Sequence, residues 1–91
     1  MLFDGGSQRL SMDSPFLMKN RVVGIRQTIK AVESGKAWRV YIAEDSEPRI
    51  IENLKKLCAI KGVEVIFFNS MAELGKAAGI ERGASAVAIL E

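Results

Sequence analysis

Apolar residues recur along this chain with a helical spacing in some segments and as short continuous runs in others. From Gly24 to about Ser34, a spacing of i, i+4 and i+7 predicts a helix whose buried stripe is Ile25, Ile29 and Val32. A second helix is predicted before Gly62, and its expected inner face consists of Ile50, Ile51, Leu54, Leu57 and Cys58. A third helix is predicted after Ser70, with an inner face of Met71, Leu74 and Ala78.

Capping residues and glycines mark the ends of these predicted helices. Asp45 or Ser46 is expected to cap the second helix, with Pro48 in its first turn. Ser70 and Glu73 form an S-x-x-E capping box at the start of the third helix. Each helix is followed by a glycine of the kind that commonly ends helices, namely Gly35, Gly62 and Gly79.

Four runs of small, β-branched and aromatic residues separate the helices and predict strands at residues 22–23, 38–43, 63–68 and 84–90. The second and third runs are expected to be buried strands. Strands that alternate with helices along a chain form a layered α/β domain, with helices on both faces of one sheet. The fold class predicted from the pattern is therefore α/β.

The first residues differ in composition from the rest. Residues 1–11 are rich in Gly, Ser and charge, and we expect a flexible leader or tag-like extension before one domain of residues 12–91. Met12 is an alternative natural start, and a short helix is predicted from Asp13 with Pro15 in its first turn. No segment approaches the roughly 20 apolar residues of a membrane span or resembles a secretory signal. We therefore expect a cytoplasmic protein without a membrane partner.

Length and composition limit the chemistry that the chain can support. Its 91 residues form a domain that buries roughly 60–65% of its unfolded surface, enough for one core but not for a deep cavity. One cysteine and no histidine exclude an internal disulfide and imidazole catalysis, and leave no zinc site. Phosphate-binding loops, dinucleotide motifs and nucleophile elbows are absent from the sequence. We therefore expect no enzyme activity, no metal and no cofactor.

Charge matters here through its position, because the formal net charge is only +2. Arg26, Gln27 and Lys30 are expected to share one polar face of the first helix. Arginine and lysine suit the O6 and N7 acceptors of guanine, and glutamine can both donate and accept. Gly24 allows close approach of a backbone at the helix start. The alternative is a solvated face on which Gln27 caps the Gly24 N–H.

The loop before the last strand is a second candidate for binding. Residues 80–84 place the apolar Ile80 beside Arg82, between a helix and a strand. An exposed Ile80 would cover an unstacked base while Arg82 reaches the nucleic-acid backbone. The alternative is that Ile80 folds inward and anchors the end of the helix.

Three blocks of sequence together resemble the kink-turn RNA-binding ribosomal-protein family of the archaeal "L-seven-Ae" and eukaryotic "L-thirty-e" type, including its short bacterial homologues. The blocks are G-x-x-Q-T-x-K-A at residues 24–31, A-E-D-x-E-P at 43–48 and L-G-K-A-A-G at 74–79. The resemblance implies a three-layer α/β/α sandwich with a small mixed four-stranded sheet. It also implies binding to a kink-turn, an RNA internal loop with a three-nucleotide bulge beside tandem sheared G·A pairs.

The resemblance assigns roles to the candidate residues. The start of the first helix would meet the G·A pairs, Glu47 would accept a hydrogen bond from an extruded base, and the loop at 80–84 would pack against the bulge. The full expected RNA-binding set is Gly24, Ile25, Arg26, Gln27, Lys30, Glu47, Ile80, Glu81, Arg82, Gly83 and Ala84. The chain departs from the family at Arg26-Gln27, where archaeal members commonly have Asn-Glu, and at Ile25, where a small polar residue is frequent.

The predicted function is therefore non-catalytic recognition of kink-turn RNA, either ribosomal or regulatory, by a monomer that does not bind DNA. Two other functions stay open at this point. A protein–protein scaffold of the same fold would bind no kinked RNA, and the departures at Ile25 and Arg26 are the features that leave this alternative open. A small-ligand enzyme of α/β type would need a polar pocket, for which the sequence offers no residues.

Overall fold

A computed structural model of the protein describes residues 20–90. The predicted leader at residues 1–11, the alternative start at Met12 and the short helix from Asp13 lie outside the described residues. The described elements are β1 (Arg21–Val23), α1 (Ile25–Glu33), β2 (Ala37–Ala43), α2 (Pro48–Lys61), β3 (Glu64–Phe68), α3 (Met71–Ala77) and β4 (Ala86–Leu90). The alternation of strands and helices predicted from the sequence is confirmed. Within residues 20–90, no helix has the length and apolar character needed to cross a membrane.

The four strands form one mixed sheet in the order β1-β4-β2-β3. β2 and β3 are parallel, whereas β4 runs antiparallel to both of its neighbours, β1 and β2. The C-termini of β1, β2 and β3 therefore lie at the same end of the sheet as the N-terminus of β4. We call this the carboxyl end of the sheet.

Each face of the sheet carries its own core. On one face α1 and α2 cover a cluster that includes Val40, Ile42 and Leu54. On the other face α3 covers a cluster that includes Tyr41, Leu74 and Val87. Alternate residues of β2 thus enter opposite cores, as the two-residue period of a strand requires. The three-layer α/β/α sandwich implied by the family resemblance is confirmed.

The predicted buried stripe of α1 was partly wrong. The buried residues of this helix are Thr28, Ala31 and Val32, while Ile25 and Ile29 are only half-buried. β4 contributes alanines to this core, and the residues of α1 that are fully buried are small or medium in size, while Ile25 and Ile29 pack at the margin of the core. Ile29 therefore also remains partly on the outer surface of α1.

Two strands that were predicted to be buried are partly exposed. Trp38 is 39% exposed, where the pairing of β2 with β4 is irregular, and the Arg39 guanidinium carbon lies 4.5 Å from its ring centroid. Phe67 of β3 is also 39% exposed. β3 is an edge strand with a neighbour on one side only, so its side chains are less completely covered than those of β2 and β4.

The end of α3 has the backbone pattern of a Schellman motif. The Gly79 N–H donates to the Lys76 carbonyl at 3.0 Å, and the Ile80 N–H donates to the Gly75 carbonyl at 2.9 Å. Gly79 has a φ of 81°, in the left-handed region that favours glycine. These bonds reverse the chain, so that residues 80–84 run back along α3 toward its first turn.

Two glycines allow this returning loop to lie directly against α3. Gly75 is buried inside the helix, and a Cβ built there would overlap the Arg82 carbonyl oxygen. A Cβ built at Gly83 would lie 3.1 Å from the Met71 Cβ. The Ala84 N–H then donates to the Met71 carbonyl at 3.0 Å. The position of the loop therefore depends on two residues without side chains.

Replacing Gly75 with Ala tests this close packing. Helix propensity alone predicts that Gly75→Ala stabilises the protein by about 1 kcal/mol. Because the new Cβ overlaps the Arg82 carbonyl, we expect instead a loss of about 1–3 kcal/mol, typical of overpacking. Urea unfolding measures the change, and increased stability of the variant would contradict the packing described.

Candidate functional site

The sheet topology places the three sequence blocks around its carboxyl end. Gly24 and the start of α1 follow β1, residues 44–47 follow β2, and the loop at 80–85 leads into β4, which lies between those two strands. The Gly24 N–H donates to the Ala86 carbonyl at 2.8 Å, and the Ala43 N–H donates to the Ser85 carbonyl at 2.9 Å. The first residue of β4 is therefore bonded to Gly24, and the last residue of the loop is bonded to the end of β2, from which residues 44–47 follow.

Gly24 has a backbone conformation that other residues rarely adopt. Its φ is 108° and its ψ is 156°. A Cβ built at this position would have no described atom within 4 Å, so internal packing does not require glycine here. The backbone angle does require it, and the space beside the first turn of α1 stays open to a ligand.

The N-terminus of α1 is available for binding. No side chain among the described residues caps it, and its first turn contains no acidic residue. The first-turn N–H groups therefore lack intrahelical acceptors, and they lie at the positive end of the helix dipole, where phosphates bind well. The alternative role for Gln27, capping of the Gly24 N–H, is wrong because the Ala86 carbonyl accepts that hydrogen bond.

The polar side chains of α1 border one shallow groove. Arg26, Gln27 and Lys30 are exposed, and with Ile29 they line a groove of about 440 Å³. A neighbouring groove of about 340 Å³ shares Gln27 and Lys30 and extends toward Lys36 and Leu90. The predicted cluster on α1 is therefore one surface, with the half-buried Ile29 adding an apolar element that the sequence pattern had assigned to the core.

Ile80 is not the fully exposed apolar tip that was one of the two expectations for the loop at residues 80–84. Ile80 is half-buried and packs against the core beneath α3. Its position directly after a Schellman glycine explains this, because that residue commonly contacts apolar side chains one turn back. Glu81, Arg82 and Gly83 are exposed, while Ala84 is buried. The structure thus supports inward anchoring of Ile80, with part of its side chain still accessible.

The candidate loop residues are not equally close to the carboxyl end of the sheet. Gly83 and Ala84 lie beside Met71, the first residue of α3. Ile80 lies beside the other end of this seven-residue helix, which corresponds to about 10 Å at the usual rise of an α-helix. A ligand that contacts both Gly24 and Ile80 must therefore follow the loop along α3.

The segment between β2 and α2 forms a turn whose capping differs from the prediction. Glu47, not Asp45 or Ser46, is the residue that precedes the first turn of α2, and its side chain makes no capping hydrogen bond among the described residues. Asp45 Oδ1 accepts instead from the Met71 N–H at 2.8 Å. The Ser46 N–H donates to the Ala43 carbonyl at 3.2 Å, which closes a tight turn at residues 43–46. The Glu47 carboxylate is exposed and not engaged in capping.

Charges of both signs meet at this end of the molecule. Arg26 and Lys30 lie on α1, Arg82 lies on the loop, and exposed carboxylates lie at Glu47 and Glu81. This surface is therefore suited to binding through donors, acceptors and charges.

Cys58 lies elsewhere, in the core under α2, and burial raises the pKa of its thiol. A thiol with a raised pKa is mostly protonated at neutral pH and is a weak nucleophile. Cys58 therefore adds no reactive thiol to this surface.

Sequence reasoning missed Asp45 and Gly75 as parts of this site. A glycine inside a predicted amphipathic helix signals close approach of another segment, and Gly75 could have been recognised in this way. Gly83 was in the expected RNA-binding set, but its close approach to Met71 was not foreseen, because glycine is common in loops and carries little information there. The contact of Asp45 with Met71 spans 26 residues and has no local sequence signal.

Comparison with known proteins places this arrangement in a family. The sequence profile of the ribosomal protein L7Ae/L30e/S12e/Gadd45 family matches residues 17–91. An RNA-binding protein of Caldanaerobacter subterraneus subsp. tengcongensis is 43% identical over 68 residues, which are 75% of this chain and 83% of that protein. The large ribosomal subunit protein eL8 of Halobacterium salinarum is 46% identical over 68 residues, which are 74% of this chain and 57% of that protein.

A solved structure gives the same result. The Giardia lamblia 15.5kD RNA binding protein matches with a TM-score of 0.80 and 26% sequence identity, covering 100% of this chain and 80% of that chain. The profile spans most of the sequence, and the fold and the relatives agree with it. The chain belongs to the ribosomal protein L7Ae/L30e/S12e/Gadd45 family.

Proposed function

We propose that this protein is a non-catalytic RNA-binding module that recognises a kink-turn and stabilises its bent form. The observation that carries the proposal is the uncapped start of α1, where Gly24 leaves open space beside the exposed Arg26, Gln27 and Lys30. Relatives described as RNA-binding or ribosomal proteins support it. Its partner would be ribosomal RNA or a regulatory RNA in a cytoplasmic ribonucleoprotein, bound by one copy of the chain.

The α1 surface fits a distorted RNA helix better than a regular one. The major groove of A-form RNA is too narrow for side chains to read. A sharp bend at tandem sheared G·A pairs opens base edges to a protein. The first-turn N–H groups of α1 and the Lys30 ammonium would bind phosphates, while Arg26 and Gln27 would reach guanine edges. The groove of about 440 Å³ beside these side chains would receive the base-pair edges.

The other two segments would hold the nucleotides of the bulge. The Glu47 carboxylate is exposed and not used as a cap, so it can accept a hydrogen bond from an extruded base. The exposed backbone at Glu81, Arg82 and Gly83 and the accessible part of Ile80 would pack against the remaining bulge nucleotides. This loop has a defined position because it lies directly on α3.

Binding of this kind would act by shifting a conformational equilibrium of the RNA. A kink brings phosphates close together, and it is populated when a partner binds it more tightly than the extended form. Moving such an equilibrium from mostly extended to mostly kinked requires about 10⁴-fold preferential binding. Cations on α1 contribute by lowering phosphate repulsion, and the contacts to the G·A pairs supply the preference for one RNA.

Specific recognition is tested by titrating a labelled kink-turn and the same RNA with its G·A pairs disrupted. We expect the wild-type protein to prefer the intact RNA, and Gln27→Ala to reduce this preference by about 5- to 100-fold, since one base-reading contact contributes about 1–3 kcal/mol. Equal binding of both RNAs by the wild-type protein would refute the proposal and favour the protein–protein scaffold.

Lys30 is expected to act on phosphates rather than on bases. Lys30→Ala should weaken binding to the intact and the disrupted RNA alike and lower the slope of log Kd against log salt by about one. Lys56→Ala, an exposed lysine on α2, makes the same charge change on another helix and should leave the slope nearly unchanged. Equal effects of the two substitutions would show that only overall charge matters.

A further inference from the structure

The two proposed bulge-binding segments belong to different layers of the fold. Residues 44–47 precede α2, which covers one face of the sheet, whereas the loop at 80–84 lies on α3, which covers the other face. A binding surface built from both segments requires that the two segments have fixed positions relative to each other. A side-chain hydrogen bond connects the first segment to the helix on which the loop lies: Asp45 Oδ1 accepts from the Met71 N–H at 2.8 Å.

This bond is more than a local helix cap. α3 already has its own N-cap, because Ser70 Oγ accepts from the Glu73 N–H at 3.1 Å. Asp45 adds a second acceptor at the same terminus, but from a segment 26 residues away in sequence. A cap from the neighbouring residue stabilises the helix alone, while a cap from another segment also fixes where that segment lies.

Met71 carries the connection on to the loop. While its N–H is bound to Asp45, its carbonyl accepts from the Ala84 N–H at 3.0 Å. Its side chain lies against Gly83, and its sulfur is 3.5 Å from Ser85 Oγ. The contacts Asp45–Met71–Ala84 therefore run without interruption from the turn that carries Glu47 to the loop that carries Arg82.

Backbone bonds hold the turn to the sheet and to α2, and the Ser46 N–H donates to the Ala43 carbonyl at 3.2 Å within the turn itself. None of the backbone bonds among residues 20–90 ties the turn to α3. The Glu44 N–H donates to the Phe68 carbonyl at 2.8 Å, which ties the turn to the sheet at its start. The Glu47 carbonyl accepts from the Ile51 N–H at 3.1 Å, which ties its end to α2. Between these points, Asp45 is the residue whose side chain holds the turn against α3.

We infer that Asp45 is a positioning residue for RNA recognition: it fixes the turn at 44–47 against the start of α3, and so sets Glu47 relative to the loop at 81–84. The inference rests on the proposed function, and Asp45 itself touches no RNA in it. Because Asp45 acts through a hydrogen bond that it accepts, an asparagine at this position should perform the same role.

The test compares three variants by their preference for a kink-turn over a straight duplex. Asp45→Ala should lower the preference about tenfold, equivalent to about 1.4 kcal/mol. Asp45→Asn keeps the acceptor and should stay within about threefold of wild type, at most about half of that energy. Ser70→Ala removes the local cap of the same helix and should lower the stability of the protein by about 1 kcal/mol. It should leave the preference for the kink-turn nearly unchanged.

A double-mutant cycle with Glu47→Ala separates positioning from general destabilisation. If Asp45 acts by placing Glu47, Asp45→Ala should lose much of its effect when Glu47 is already Ala, so the two effects are not additive. Strict additivity would overturn the inference. So would equal losses from Asp45→Ala and Ser70→Ala, or from Asp45→Ala and Asp45→Asn. A wild-type protein without any preference for the kink-turn would instead overturn the proposed function, and the inference with it.

Discussion

The antiparallel direction of β4 brings the three candidate segments to one end of the sheet. β4 lies between β1 and β2 and runs opposite to both. Its N-terminus therefore meets the C-termini of its neighbours: the Ala86 carbonyl at the start of β4 accepts from the Gly24 N–H, and the Ser85 carbonyl at the end of the loop accepts from the Ala43 N–H. A parallel β4 would start at the opposite end of the sheet, and the loop would lie far from the start of α1. Strand direction thus brings together segments that are distant in sequence.

Local backbone chemistry then gives each segment at this end a different property. α1 begins at a glycine in a conformation with positive φ and has no side-chain cap among residues 20–90, so its N-terminus is open to a ligand. α3 begins with acceptors from Ser70 and Asp45, so its N-terminus is satisfied internally and serves as a support. Gly75 and Gly83 let the loop lie on that support. Two helix starts at the same end of the sheet therefore differ: the start of α1 is open, as the proposed RNA binding requires, and the start of α3 is satisfied internally and supports the loop.

The fold could be predicted from the sequence because each element has a strong local signal, and the family resemblance read from three short blocks is confirmed by the profile match. The polar cluster on α1 was predictable because helical spacing alone puts Arg26, Gln27 and Lys30 together. The position of Ile80 was left open, since packing of a residue after a C-terminal glycine depends on the layer beneath it. The exposure of Phe67 depends on strand order, and the role of Asp45 on a contact across 26 residues. Neither is encoded in a local pattern.

In the proposed function, residues of α1, of the turn at 44–47 and of the loop at 81–84 form one continuous RNA surface. This surface can be mapped from the amide chemical shifts of the labelled protein during titration with a kink-turn. We expect the amides of Gly24–Thr28, Glu44–Glu47 and Glu81–Ala84 to shift together with a single Kd, while those of Gly62 and Val63 at the opposite end of the sheet do not. Shifts confined to α1, or largest around Gly62, would contradict it.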